Sequence, residues 1–175
     1  MMKMDLIVES DINSEIIKLI KEKKYPVSRI ILHVPDSPFG NGSIFLPKDL
    51  PAYSMFKKFV EDAHSAGINI IAGLDTTCQG NLEAHVDHNA AIEKSVFNLR
   101  DLGINEFLVS APNVIGYIKA RVPEARVYLS YSQQVTTLNR ARIFLDIGSD
   151  AIILHPDVIR YQPLLKNMVK LPQKI

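Results

Sequence analysis

Three short phrases in this chain, SAGINI, DLGINE and DIGSDA, each place a glycine between a helical stretch and an apolar, strand-like run. Glycine is common just past a helix end because it adopts the left-handed conformation at little steric cost. Apolar residues at helical spacing and short strand-like runs alternate around these phrases along the chain. The pattern predicts successive βα units, in which each helix returns the chain so that the next strand runs parallel to the last.

Residues 127–157 show such a unit clearly. The stretch begins with the strand-like run VYLS, continues through a helix that Gly148 ends, and closes with AIIL before His155 and Asp157. Strand, helix and strand at this length make one right-handed crossover between parallel strands. Because parallel α/β folds carry their chemistry at the carboxyl ends of strands, polar residues that follow strands are the first candidates for a site.

Six strands follow from the same reasoning, and the fold class follows from their order. Nothing in the chain marks a reversal of strand order, which favours an incomplete (β/α) TIM-like barrel over a doubly wound sheet. A complete barrel has eight units and about 250 residues, so these 175 residues are expected to form a single partial barrel domain. The predicted strands lie at 4–9, 29–34, 68–74, 104–109, 127–130 and 151–154, and the last predicted helix at 158–169.

An unfinished barrel leaves unpaired backbone groups on its edge strands and an apolar interior open on one side. We expect the chain to be part of a longer protein. Two alternatives stay open: closure of the open edges against a second chain, in a homo-oligomer or a hetero-oligomer, and an open six-stranded α/β layer.

Composition narrows the class of partner. An apolar content of 47%, a charged content of 22% and a net charge of +1 are ordinary for a globular protein and give no electrostatic reason for a nucleic-acid or membrane partner. No apolar run reaches the length of a membrane span, and the N-terminus lacks a signal-peptide core, so a cytoplasmic location is expected. Cys78 is the single cysteine. It excludes an intrachain disulfide or a cysteine cluster site built from this chain alone, and no resident cofactor is expected.

Two predicted strands end in nearly the same sequence, IILHVPD and IILHPD. These segments place His33 and His155 at matching positions. In a barrel, alternate strands fill the same interior layer, so His33, His155 and Ser110 are predicted to lie near one another. Imidazoles there could bind substrate, relay protons or, with Asp157, ligate a metal in a small hydrolase. The alternative is that each histidine hydrogen-bonds a loop at its strand end.

The odd-numbered strands also end in polar residues, among them Glu9, Asp75 and Gln134. An acid such as Asp75 can act as a general base or hold a substrate, although capping of a helix would explain it nearly as well. The EAHVDH cluster places His85 and His88 three residues apart rather than four, which favours a solvated loop over a metal site. Residues 40–43, GNGS, are too short for a phosphate-binding loop, and Cys78 has no assignable activating partner.

Several segments resemble the collagenase-like peptidase U32 family. The segment SQQ at 132–134, followed by Asn139, Gly148 and the strand IIL, is similar to the family's STQ…N…G…VVL stretch. FVEDAHSAGINI with the following LDT resembles its third-strand region, and RDLGINEFLVSAPNVIGYIK resembles its next unit. The resemblance runs from about Arg29 onward.

The resemblance implies a barrel-like fold and one of two activities: peptide hydrolysis, or oxygen-independent hydroxylation of RNA bases or a quinone precursor with an iron–sulfur cluster. The family's cysteine ligands lie downstream of the matched segment, so an iron–sulfur cluster is expected only in a longer form. His33 and His155 stand where family members often carry small residues. Gln134 and Asn139 are the motif positions that carry over, as substrate or structural contacts.

We therefore expect the N-terminal barrel part of a U32-like protein, incomplete for catalysis by itself, that binds a small molecule or a peptide. The rivals are a non-catalytic partner module and a small metal-dependent hydrolase. The candidate substrate-binding residues are His33, Asp75, Ser110, Gln134, Asn139, His155 and Asp157.

Overall fold

The computed structural model describes residues 6–35, 37–38, 53–76 and 86–171, with the backbone alone at 86–88. Its strands are β1 (Leu6–Ser10), β2 (Val27–His33), β3 (Asn69–Leu74), β4 (Glu106–Val109), β5 (Arg126–Leu129) and β6 (Ala151–Ile152). Its helices are α1 (Glu15–Lys23), α2 (Tyr53–Ser65), α3 (Val86–Asp101), α4 (Pro112–Arg121), α5 (Leu138–Ile147) and α6 (Gln162–Met168).

All the strands belong to one parallel sheet in the order β1-β2-β3-β4-β5-β6. Each strand therefore pairs with the next one along the chain, which is the neighbour relation of a (β/α) barrel and not of a doubly wound sheet. The sheet is curled into a half-barrel that alternates with helices, so the predicted incomplete TIM-like barrel is confirmed. None of the described helices is long and apolar enough to cross a membrane.

Two predicted boundaries at the C-terminal side are wrong. The last helix begins at Gln162 rather than at residue 158, because the chain first makes turns in which Val158 N–H donates to the His155 carbonyl and Tyr161 N–H to the Val158 carbonyl. Pro163 then stands in the first helical turn, where its missing N–H costs nothing. The strand β6 has two residues instead of four, and it pairs on one side only, with β5.

The sheet has a buried apolar layer on each face. The larger core packs the helices against the outer face and includes Phe56, Phe59, Phe107, Leu99 and Ile115. A smaller inner cluster consists of Ile31, Ile71, Leu108 and Tyr128, with Ala151 and Ile153 packed against it. Because side chains alternate between the two faces of a strand, the inner cluster identifies the face that becomes a barrel interior.

A polar group around Glu106 lies next to the inner cluster, at the amino-terminal side of the sheet. The Glu106 carboxylate accepts from Arg29 Nε at 2.8 Å, from the Tyr128 hydroxyl at 2.6 Å and from Asn69 Nδ2 at 3.4 Å. The Arg126 guanidinium lies 5.2 Å from the centre of the Tyr128 ring. Burial, followed by the hydrogen bond and the charge of Glu106, raises the pKa of Tyr128 to about 12. In barrel enzymes this end contributes to stability rather than to catalysis.

We expect Tyr128→Phe to lower the free energy of unfolding by about 1.5–3 kcal/mol, because it removes a hydrogen bond to a carboxylate that is partly buried. Urea denaturation at pH 7 measures the change. Tyr161→Phe is the matched control, since the Tyr161 side chain is 59% exposed. Equal effects of the two substitutions would contradict a stabilising role for the Tyr128–Glu106 hydrogen bond.

The same variant tests the pH dependence. Since Tyr128 stays neutral in the folded chain up to about pH 12 but ionises near pH 10 when unfolded, its contribution is full below pH 10 and is lost as the pH rises toward 12. The wild type should therefore lose stability faster than Tyr128→Phe above about pH 10.

Candidate functional site

The register of the parallel strands brings polar side chains together at the carboxyl end of the inner face. Glu9 pairs with Ile31, and His33 pairs with Gly73, whose row continues through Leu108. Two positions beyond this row on β3, β4 and β5 stand Asp75, Ser110 and Ser130, which are all buried. Because residues i and i+2 of a strand share a face, these polar groups continue the inner apolar layer toward the strand ends.

His33 is held between two carboxylates. Its Nε2 lies 3.0 Å from Glu9 Oε1, and its Nδ1 lies 3.5 Å from Asp75 Oδ1. His33 is only 5% exposed, whereas the side chain of Glu9 is 43% exposed. The imidazole therefore connects a carboxylate that water reaches to a carboxyl group that is buried.

Gly73 makes room for this imidazole. A Cβ at position 73 would lie 2.8 Å from His33 Nδ1, closer than real contacts allow, and 3.1 Å from its Cε1, which is also tight. The close approach of the His33 ring therefore requires a glycine in β3. Glycine within a strand is common where another group comes close to the backbone.

Asp75 is the centre of a hydrogen-bonded network that reaches β4 and β5. Its Oδ2 accepts from the Ser130 hydroxyl at 3.3 Å, and its backbone carbonyl accepts from the Ser110 hydroxyl at 2.9 Å. The Ser132 hydroxyl lies 2.8 Å from that of Ser110 and 3.1 Å from that of Ser130. We call Glu9, His33, Asp75 and these three serines the strand-end network.

Two buried atoms of the strand-end network have no hydrogen-bond partner among the described residues: His33 Nδ1 and Asp75 Oδ1. They face each other at 3.5 Å, a distance too long for a good hydrogen bond. Burial raises the pKa of Asp75 above its ordinary value of 3.8, although the charge of His33 and the Ser130 hydrogen bond lower it. A buried carboxyl of this kind, beside an imidazole, can exchange a proton with a ligand.

The arrangement differs from a serine-protease triad. In a triad the imidazole lies between serine and carboxylate and takes the serine proton. Here Asp75 lies between Ser130 and His33, so the imidazole has no serine hydroxyl as a neighbour among the described residues. The described strand-end network is therefore suited to holding a polar ligand and exchanging protons with it, and not to activating a serine nucleophile.

The structure brings together three of the residues predicted from sequence: His33, Asp75 and Ser110. The polar side-chain contacts of His155 within the described chain are local, with Asp157 Oδ2 at 3.3 Å and the Asp157 N–H at 3.3 Å. His33, Ser110 and His155 were predicted to share one layer. In the described chain the side chain of His33 instead contacts Glu9 of β1 and Asp75 at the end of β3. Glu9, His33 and Asp75 meet because each lies two rows further toward the carboxyl ends than the one before, since Glu9 pairs with Ile31 and His33 pairs with Gly73.

Gln134 and Asn139 are not buried and take no part in the described network. Gln134 ends the short 3-10 helix Tyr131–Gln133 with a positive φ of 46°, a left-handed conformation that a side chain such as glutamine adopts at a cost. Asn139 lies in the first turn of α5, whose N-cap Thr137 accepts from the Arg140 N–H at 3.2 Å. Their role as substrate contacts stays a prediction.

The candidate substrate-binding residues chosen from the sequence omitted Ser130 and Ser132, and also Glu9, which was noted only as a polar residue at the end of its strand. Each of the three ends or closely follows a strand, and Ser130 is two residues beyond the inner-face Tyr128. The period-2 alternation of each strand, extended past its last apolar residue, is the signal that identifies Glu9 and Ser130. Ser132 has no such signal, because a 3-10 turn sets its position.

Some sequence candidates fall outside the described residues: the GNGS loop at 40–43, Cys78, Glu83 and His85, together with the side chains of Asp87 and His88. Within the described part of the chain, no group of three or more histidine, cysteine, aspartate or glutamate side chains could hold a metal ion. The rival prediction of a metal-dependent hydrolase through His33, His155 and Asp157 gains no support from the described contacts.

A family model described as "Peptidase family U32" matches residues 48–159, more than half of the chain. The chain belongs to peptidase family U32. No curated protein matches this U32 chain. The family model thus confirms the resemblance to the U32 family that was inferred from segments of the sequence.

Solved structures agree with the fold. The U32 peptidase Mk0906 superposes with a TM-score of 0.81 at 19% identity, over 97% of this chain and 65% of that one. A putative phosphonomutase from Burkholderia cenocepacia J2315 has a TM-score of 0.59 at 14% identity, over 97% and 70% of the two chains. Eubacterium rectale Amy13B has a TM-score of 0.58 at 11% identity, over 87% and 48%. The U32 chain thus spans less than two thirds of the Mk0906 chain.

We expect Gly73→Ala to lower the free energy of unfolding by about 1–3 kcal/mol, because the added methyl group overlaps the His33 ring and forces it away from Glu9. Gly116→Ala is the control, for which we expect a gain in the free energy of unfolding instead of a loss. A Cβ there meets nothing within 4 Å, and glycine inside a helix costs about 0.5–1 kcal/mol relative to alanine. Urea denaturation of both variants measures the change in the free energy of unfolding. An unchanged stability of Gly73→Ala would contradict the close approach of the His33 ring.

The raised pKa of Asp75 predicts a pH dependence of stability. The folded chain holds the Asp75 proton to a higher pH than the unfolded chain, so this contribution is full below about pH 3.8 and is lost as the pH rises through the folded pKa. Compared with the wild type, Asp75→Asn should therefore become relatively more stable as the pH rises above about 3.8. Asp101→Asn, at an exposed position, is the control variant for a lost carboxylate. A constant difference for Asp75→Asn would refute the prediction.

Proposed function

We propose that the strand-end face of this U32 chain forms part of a binding and acid–base site for a small molecule or a peptide. The observation that carries the proposal is the pair His33 Nδ1 and Asp75 Oδ1, which are buried at the strand ends without hydrogen-bond partners among the described residues. A buried polar group without a partner costs about 1–3 kcal/mol, and a ligand that supplies the partner recovers this cost.

The family supports peptides as the first substrate class, because it is described as a peptidase family and Mk0906 is named a U32 peptidase. We further propose that this chain binds its substrate but does not turn it over by itself. Chemistry at a barrel mouth draws on residues from several strands, and the described strand-end network has no nucleophile beside its imidazole.

The test is binding of a degenerate tripeptide mixture to the isotopically labelled chain, followed by backbone amide shifts. We expect the perturbed amides to lie at the strand ends, around Glu9, His33, Asp75 and Ser110. His33→Gln and Asp75→Asn should weaken binding about tenfold, the loss expected when a hydrogen bond to a charged group is removed. Asp101→Asn, which is exposed on the outer helix α3, serves as the control.

Two outcomes would contradict the proposal. Perturbed amides confined to the outer helices would remove the site from the strand ends. Release of new amino groups from the tripeptides at the rate of an ordinary peptidase would show that this chain is catalytically complete.

A second candidate function, a partner module that closes its sheet on another subunit, is favoured by the edge strand β1. Leu6 and Ile7 are 36% and 42% exposed there, and an edge strand with exposed apolar residues can pair with another chain. Light scattering over a tenfold range of concentration tests self-association. Ile7→Lys should shift the balance to monomer, and a wild-type monomer throughout would exclude a homo-oligomer.

A further inference from the structure

The hydroxyl protons of the three serines all point into the protein. Ser110 donates to the Asp75 carbonyl at 2.9 Å and Ser130 donates to Asp75 Oδ2 at 3.3 Å, which uses the one proton of each. Ser132 has one proton and two acceptors for it, the hydroxyls of Ser110 and Ser130. The half-buried Ser132 oxygen therefore offers lone pairs, and no proton, to a ligand.

The other polar atoms of the strand-end network are acceptors as well. Glu9 keeps the exposed part of its carboxylate open to solvent. Asp75 Oδ1, an acceptor in the carboxylate form, has no hydrogen-bond partner among the described residues and lies 3.5 Å from His33 Nδ1. The side chain of each of these two buried residues is about nine-tenths or more hidden from solvent.

The charges point in the same direction. Among the described residues that end a strand or closely follow one, the carboxylates are Glu9, Asp11, Asp75 and Asp157, and there is no lysine or arginine. A ligand with an anionic group would be repelled here, and a cationic hydrogen-bond donor would be attracted.

We infer that the group recognised by the strand-end network is a primary ammonium, such as the α-amino group of a peptide or the amine of a small molecule. This inference rests on the proposed function and gives its substrate class. The ammonium donates hydrogen bonds and accepts none, which complements the acceptor atoms of the strand-end network, first among them the buried carboxyl of Asp75. Glu9, on the other side of the His33 ring, adds its negative charge. Binding at Asp75 requires its carboxylate form, whose charge the bound cation stabilises.

The assignment of an ammonium determines how binding depends on pH. Glu9 and His33 are the titratable groups of the described chain that act on Asp75 through their charge. Because burial raises the pKa of Asp75, binding should strengthen as the pH rises from about 4 and Asp75 ionises. It should weaken again above about pH 8, where an α-amino group loses its charge. The expected profile is a maximum between these limits.

The test compares leucyl-leucinamide with N-acetyl-leucyl-leucinamide, which differ in the charged amine, and follows amide shifts of the labelled chain. We expect the free amine to bind at least about tenfold more tightly than the acetylated compound, the difference expected for hydrogen bonds to a charged group. Asp75→Asn should remove most of this preference, and Glu9→Gln should reduce it. Glu61→Gln, on the exposed side of α2, is the control for a lost carboxylate.

The outcomes separate this inference from the proposed function. Equal binding of both compounds at the strand ends would overturn the ammonium assignment and leave the proposed site intact. If neither compound perturbs the amides at the strand ends, the ammonium assignment and the proposed function are both wrong. Glu9→Gln keeps the test valid if Asp75→Asn does not fold, because Glu9 is partly exposed, and a preference unchanged in Glu9→Gln would also count against the inference.

Discussion

The structure depends on the register of its parallel strands. Every strand pairs with its successor, so residues at equivalent positions form rows across the inner face. Apolar residues fill the middle rows, and the rows beyond them hold the polar groups of the strand-end network. A shift of one residue in β2 or β3 would turn its side chains to the opposite face and separate His33 from Asp75.

The inner face carries polar groups at both ends, and the two groups have different physical characters. Near the amino ends, Glu106 is satisfied by Arg29, Tyr128 and Asn69, as expected of a stabilising network. Near the carboxyl ends, His33 Nδ1 and Asp75 Oδ1 are buried and unpartnered within the described chain. This unsatisfied pair of buried atoms, one of an imidazole and one of a carboxyl group, is a reason to place function at the carboxyl ends, since a ligand that supplies the missing hydrogen bonds recovers their free energy.

The sequence was sufficient for the order and type of the elements because the alternation of helical and strand-like spacing is local. The start of α4 at Pro112 is such a local signal, because proline favours the first turn of a helix. The sequence failed at the start of α6, where backbone turns after His155 delay the helix. Such turns depend on how the chain leaves the short edge strand β6, which no local pattern shows.

For the site, the sequence by itself determined which residues end the strands, and so it placed His33, Asp75 and Ser110 among the candidates. Only the tertiary structure decided that His33 lies between Glu9 and Asp75, that Gly73 provides the space for its ring, and that Ser132 joins the network. The physical reason is the stagger between neighbouring strands. Strand ends are set by residue type and spacing, whereas the contacts between them depend on the register and curl of the assembled sheet.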